Sequence, residues 1–213
     1  MTLPNAYSGV KKIFIAEILQ IIGSVLAIIS LVSVLGVAGV YVETGDANGV
    51  VGLAAMAGVF ALITAGLAII ALVLNLVGLK QASKDEPDRM GKAFVFAIVT
   101  LILSVIVGVC QNMHWGAAGF FNTLSSLSQM CTIIFTIMGV SEVTQNISRQ
   151  DVADMGPKII VISVIAIVAA IIAGIIGNVI GGAAAVVSLV LMIVVYFVFL
   201  VFLGRATSAL AKG

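Results

Sequence analysis

The chain has 213 residues, 62% of them hydrophobic and 9% charged, with ten Lys or Arg against nine Asp or Glu. Soluble domains carry about 25% charged residues, and a mean hydropathy of +1.30 leaves too little polar side chain to clothe a water-facing surface of this size. A soluble globular domain is thereby excluded, and a net charge of +1 with no basic block excludes a nucleic-acid-binding surface.

The remaining solvent is lipid. A hydrocarbon core ~30 Å thick needs about 20 apolar residues per helix, and the apolar runs here are continuous and far longer than the ~10 alternating residues of a barrel strand. The sequence predicts an all-α integral membrane protein forming a single domain, a bundle of six transmembrane helices. The spans fall at about 13–41, 51–79, 93–110, 119–140, 159–178 and 183–204.

The first run follows Lys11 and Lys12 and continues to Tyr41. It exceeds the 7–15 apolar residues of a secretory signal and reads as a membrane helix. Glu17 lies about one turn inside it and is the candidate buried acid, because an ionisable group at membrane depth is a default pointer to function. Otherwise it is an interfacial residue within reach of water.

The second span carries Ala57, Ala61 and Ala65 in one row. It is followed by the most charged stretch of the chain, the predicted loop 80–92. Lys80, Lys84, Arg89 and Lys92 are the candidate cytoplasmic anchors or docking residues, and Asp85, Glu86 and Asp88 sit among them. The acids weaken the case for anionic lipid as the loop's partner. Pro87 is expected to end a helical extension of the second span, since the residue before proline disfavours helix.

Between the third and fourth spans come His114, the chain's one histidine, and Trp115, an amphipathic ring of the kind that favours the interface. The outer half of the fourth span is unusually polar. Asn122, Ser125, Ser126 and Gln129 are the candidate lining of a vestibule; the competing reading is hydrogen bonding to neighbouring helices. The segment 141–158 is expected to hold a short interfacial helix with Val143, Ile147 and Met155 toward lipid. The fifth span has Ala169, Ala173, Gly177 and Gly181 four apart, a small-residue row suited to close helix packing in lipid.

With six spans, all ten cations fall on one side: Lys11, Lys12, Lys80, Lys84, Arg89, Lys92, Arg149, Lys158, Arg205 and Lys212. Cations resist translocation, so this side is read as cytoplasmic and holds both ends of the chain. The compact loops favour a bacterial cytoplasmic membrane. The even spans end alike, at Gly78, Gly139 and Gly204, and the odd ones begin with a glycine and a lysine: "SGVKKI", "MGKAF", "MGPKII". These echoes read as three tandem helical hairpins; the alternative is coincidence in a chain with 22 glycines.

No catalytic, cofactor or metal constellation is found. Cys110 and Cys131 lack a metal or redox spacing, and there is no HExxH, GxSxG or phosphate loop. The expected function is non-enzymatic: a membrane subunit or scaffold acting through a partner membrane or cytoplasmic protein. The alternative is a small carrier, or the substrate-binding subunit of a transporter, for a neutral or apolar molecule.

Overall fold

The structure, a computed structural model, describes residues 3–44, 47–113, 115–165 and 183–212, with side chains described except at 35–50, 53 and 183–192. Among these residues there is no strand. The helices are α1 (Pro4–Thr44), α2 (Ala47–Ala82), α3 (Arg89–Asn112), α4 (Ala118–Asn146), a single turn α5 (Gln150–Ala153), α6 (155–165) and α7 (Ala183–Leu210). Five of them are long and apolar enough to cross a membrane: Pro4–Val34, Ala54–Ala82, Arg89–Asn112, Ala118–Asn146 and Ile193–Leu210. The chain is thus a helical membrane protein. The predicted fifth span, 159–178, is helical to residue 165, and its small-residue row Ala169, Ala173, Gly177 and Gly181 lies outside the described residues.

The helices outrun their apolar cores. α1 starts at Pro4, nine residues before the predicted span, and its 41 residues make about 62 Å of helix. Proline suits the first helical position, where its missing N–H is one of the unpaired four. α3 starts at Arg89 and α4 continues to Asn146. The predicted loop 80–92 is therefore reduced to residues 83–88: Lys80 belongs to α2, and Arg89 and Lys92 to α3. The interfacial helix expected in 141–158 is also corrected. α4, the turn α5 and the start of α6 take up this segment; Val143 is buried, and Ile147 and Met155 are half-buried and packed against the core cluster.

α4 ends in a Schellman motif. The Ser148 amide donates to the Gln145 carbonyl at 2.8 Å and the Arg149 amide to the Thr144 carbonyl at 3.0 Å, the two bonds that define this cap. Ser148 occupies the left-handed position with φ of 60°, where glycine is usual.

Two compact units divide the chain, residues 3–14 with 76–212, and Ile15–Asn75. In the first, a buried cluster joins Ala6 and Val10 of α1, Leu79 and Ala82 of α2, Met90 of α3, Val140 and Val143 of α4, Val152 of α5, Ile159 of α6, and Phe202, Leu203 and Ala206 of α7. The cluster thus gathers the start of α1, the end of α2, the start of α3, the end of α4, the start of α6 and the end of α7. All ten cations belong to this unit. α1 and α2 meet there backbone to backbone: a Cβ on Gly9 would lie 2.6 Å from the Ala82 nitrogen, and one on Gly78 2.8 Å from the Gly9 oxygen. α3 and α4 pack along their length, with Phe96 stacked on Phe135 at 5.6 Å, and Gly139 leaves room for Met90.

In the second unit, the α1 and α2 segments are joined by the Ser30 hydroxyl, which donates to the Ala57 carbonyl at 3.0 Å. Most of their large apolar side chains are exposed, including Ile28, Leu31, Leu62 and Ile69. In hydrocarbon such exposure carries no penalty, because lipid tails are as apolar as the side chains.

Candidate functional site

The stretch 79–94 is where charge and burial meet, and its acids do separate work. Asp85 reaches the first turn of α1. Its Oδ2 accepts the Ala6 amide at 2.7 Å and its Oδ1 accepts Asn5 Nδ2 at 2.9 Å. Glu86 is 5% exposed and turns onto α3. Its Oε2 accepts the Arg89 amide at 2.8 Å and the Met90 amide at 2.6 Å, with Oε1 also near the Arg89 amide at 3.0 Å. Each carboxylate satisfies amides that a helix start leaves unpaired and complements the positive end of the dipole. The six-residue loop thus fastens two helix N-termini at once. Gln81 adds to the junction by accepting from Ser8 and from Lys12.

Asp88 serves the surface. Its Oδ1 lies 2.7 Å from Lys92 Nζ, one helical turn on, and its Oδ2 3.6 Å from Arg89 Nε, which also lies 3.6 Å from Glu142 on α4. The hydrogen bond from Lys92 and its charge hold the Asp88 carboxyl below the ordinary range. The result is an exposed ionic strip of Asp88, Arg89, Lys92 and Glu142. Lys80 and Lys84 are exposed beside it and have no carboxylate partner among the described residues.

A second pair stands at the start of α5, where the cap residue Arg149 and Asp151 meet at 3.0 and 3.1 Å. The bond lowers the Asp151 carboxyl and raises the Arg149 guanidinium.

The candidate buried acid, Glu17, is 8% exposed. Asn75 Nδ2 donates to its Oε1 at 3.3 Å, within the Ile15–Asn75 unit. Two polar groups at membrane depth thereby satisfy one another.

The four candidate vestibule residues lie along one stripe of α4, but they differ in burial. Ser125 is buried against α3, its hydroxyl 3.2 Å from that of Ser104, and its neighbour Ser128 donates to the Phe96 carbonyl at 2.9 Å. Asn122, Ser126 and Gln129 are exposed, with Ser126 donating back to the Asn122 carbonyl at 3.0 Å. The polarity of α4 therefore divides between an α3–α4 seam and hydroxyls that bond their own helix. Cys110 is buried and Cys131 half-buried, both as free thiols. His114 lies outside the described residues.

From the sequence, Asp85 and Glu86 read only as acids that weaken the case for an anionic-lipid partner. The Glu-Pro-Asp-Arg order at 86–89 does hold a signal, an acid followed by proline at a helix start. The Asp85 contact to α1, 79 residues away, has no local sequence signature.

No family model matches the chain, and comparison with curated proteins and with solved structures gives no match either.

Proposed function

We propose that this chain is a six-span membrane subunit or scaffold of a bacterial cytoplasmic membrane, built as three helical hairpins, and that it works by holding a partner protein at its charged end. Six spans are supported by one buried cluster, which contains residues from near both ends of the chain, Ala82 and Met90 on either side of the junction at 83–88, and Val152 from the junction at 147–154. Helices that leave this cluster and return to it three times require an even number of crossings. The ten cations in the same unit favour the cytoplasm for that end.

The observation that carries the binding reading is the ionic strip Asp88, Arg89, Lys92 and Glu142, with Lys80 and Lys84 beside it. It is mounted on the most buried part of the chain and anchored through Glu86. Rigidly held, partly compensated charge suits a polar protein interface, where complementary charges set register and partner choice. The test is photo-crosslinking in native membranes from residues placed at Lys84 and Lys92, against lipid-facing controls at Val105 and Leu127. A discrete protein adduct from the first two positions alone is expected. Adducts that are absent, or the same from all four, would contradict the reading.

A further inference from the structure

A cleft of about 560 Å³ opens between α5, the last turns of α7 and Phe14 of α1. Its α7 wall is one stripe: Val201, Arg205 and Ser208 follow at helical spacing, and Lys212 stands in the turn just past the helix end. From Val201 to Ser208 the stripe rises about 10 Å, with Lys212 beyond it. It passes from the end of the apolar run, through one cation, to a second. That distance exceeds the ~5–8 Å of headgroup layer on each side of a bilayer, so the stripe is long enough to reach from hydrocarbon through the headgroups. On the opposite wall stand Arg149, Asp151 and Val152.

The charges do not balance. Asp151 is engaged by Arg149 through Nε and Nη2, which neutralises that pair and leaves other guanidinium N–H groups of Arg149 for a ligand. Arg205 Nη1 donates to the sulfur of Met155 at 3.7 Å, and among the described residues neither Arg205 nor Lys212 has a carboxylate partner. Two net positive charges therefore face one cleft that Phe14, Val152 and Val201 also line. Guanidinium forks match phosphate oxygens, and these apolar side chains match the start of an acyl chain. The strip at 80–92 lacks this character, because Asp88 and Glu142 occupy Arg89 and Lys92 and leave only the lysines Lys80 and Lys84, without a guanidinium fork.

We propose that this cleft seats the phosphate of an anionic phospholipid between Arg205, Lys212 and Arg149, with an acyl chain descending past Val201 and Phe14. The site is separate from the protein-binding strip, so either can fail without the other.

The experiment is native mass spectrometry of the full chain released from nanodiscs of equimolar phosphatidylglycerol and phosphatidylcholine. Wild-type protein should retain one phosphatidylglycerol in preference to phosphatidylcholine. The R205Q/K212Q double variant should lose that retention by about fivefold per cation removed, whereas K80Q/K84Q, with the same change in net charge, should keep it. No preference in the wild type would overturn the proposal. So would equal losses in the two double variants, which would mark diffuse attraction to the surface. Release of the lipid by inorganic phosphate would assign the cations to a free anion and overturn the lipid assignment.

Discussion

Placing a methyl group at the α1–α2 crossing tests the packing most sharply. In Gly9→Ala the new Cβ would lie 2.6 Å from the Ala82 nitrogen and the Gly78 oxygen, and in Gly78→Ala 2.8 Å from the Gly9 oxygen, where ordinary contact begins at 3.4 Å. The atoms met are backbone, so the helices must part by about 0.8 Å in the first variant and about 0.6 Å in the second. Val10, Ile13, Leu79 and Ala82, all buried at this crossing, would lose contact together. Overpacking of this kind costs about 1–3 kcal/mol. Because one separation accommodates both methyl groups, the double variant should fall short of additivity by about 1 kcal/mol or more. The assay is reversible unfolding in mixed micelles, with Gly91→Ala as control. A Cβ there meets nothing within 4 Å, so it should be neutral or stabilising by up to about 1 kcal/mol. A Gly78→Ala variant as stable as the control, or strict additivity, would refute the backbone contact.

Other changes should act locally. Glu86→Ala strips the cap from α3 and leaves the Met90 amide buried without a partner, which should destabilise the start of α3 by about 1–3 kcal/mol, read as faster amide exchange at 89–93; unchanged exchange there would count against the cap. Ser148→Gly should stabilise the chain by about 0.5–1 kcal/mol, since glycine occupies the left-handed cap without strain, and a loss of stability would show that the Ser148 hydroxyl matters more. For pH, Asp88 and Asp151 have lowered carboxyl pKa values from a normal 3.8. Their ion pairs contribute above that value and lose their contribution as the pH falls through the lower folded value. The melting midpoint of wild type should thus show no dependence on these pairs between pH 7 and 5, and a small acid loss below 3.8 that is reduced in D88N.

Helices were legible because apolar run length acts over whole segments, as the runs at 51–79 and 93–110 illustrate. Helix ends were not. α1 begins at Pro4 because Asp85 caps it from 79 residues away, and α4 runs on to Asn146 because Val143 has a buried cluster to join. Nothing local in either segment records those partners. Gly78 was visible as part of a recurring exit pattern, but its physical reason, the approach of Gly9, belongs to the fold. The polar residues of α4 were visible as a group. Their division between Ser125 at the α3 seam and Asn122, Ser126 and Gln129 on exposed positions depends on helix rotation, which composition does not fix.

The sidedness of the charged end is the claim on which the rest depends. It is tested most directly by single cysteines in a chain carrying C110S and C131S, placed at Lys84, Ser148 and Ala211 on one side and at Asp46 and Trp115 on the other. They would be probed in intact bacterial cells with a membrane-impermeant maleimide. Labelling at 46 and 115 from outside, with 84, 148 and 211 reached only after permeabilisation, is the predicted result. Any division of 84, 148 and 211 between the two sides would contradict the six-span arrangement.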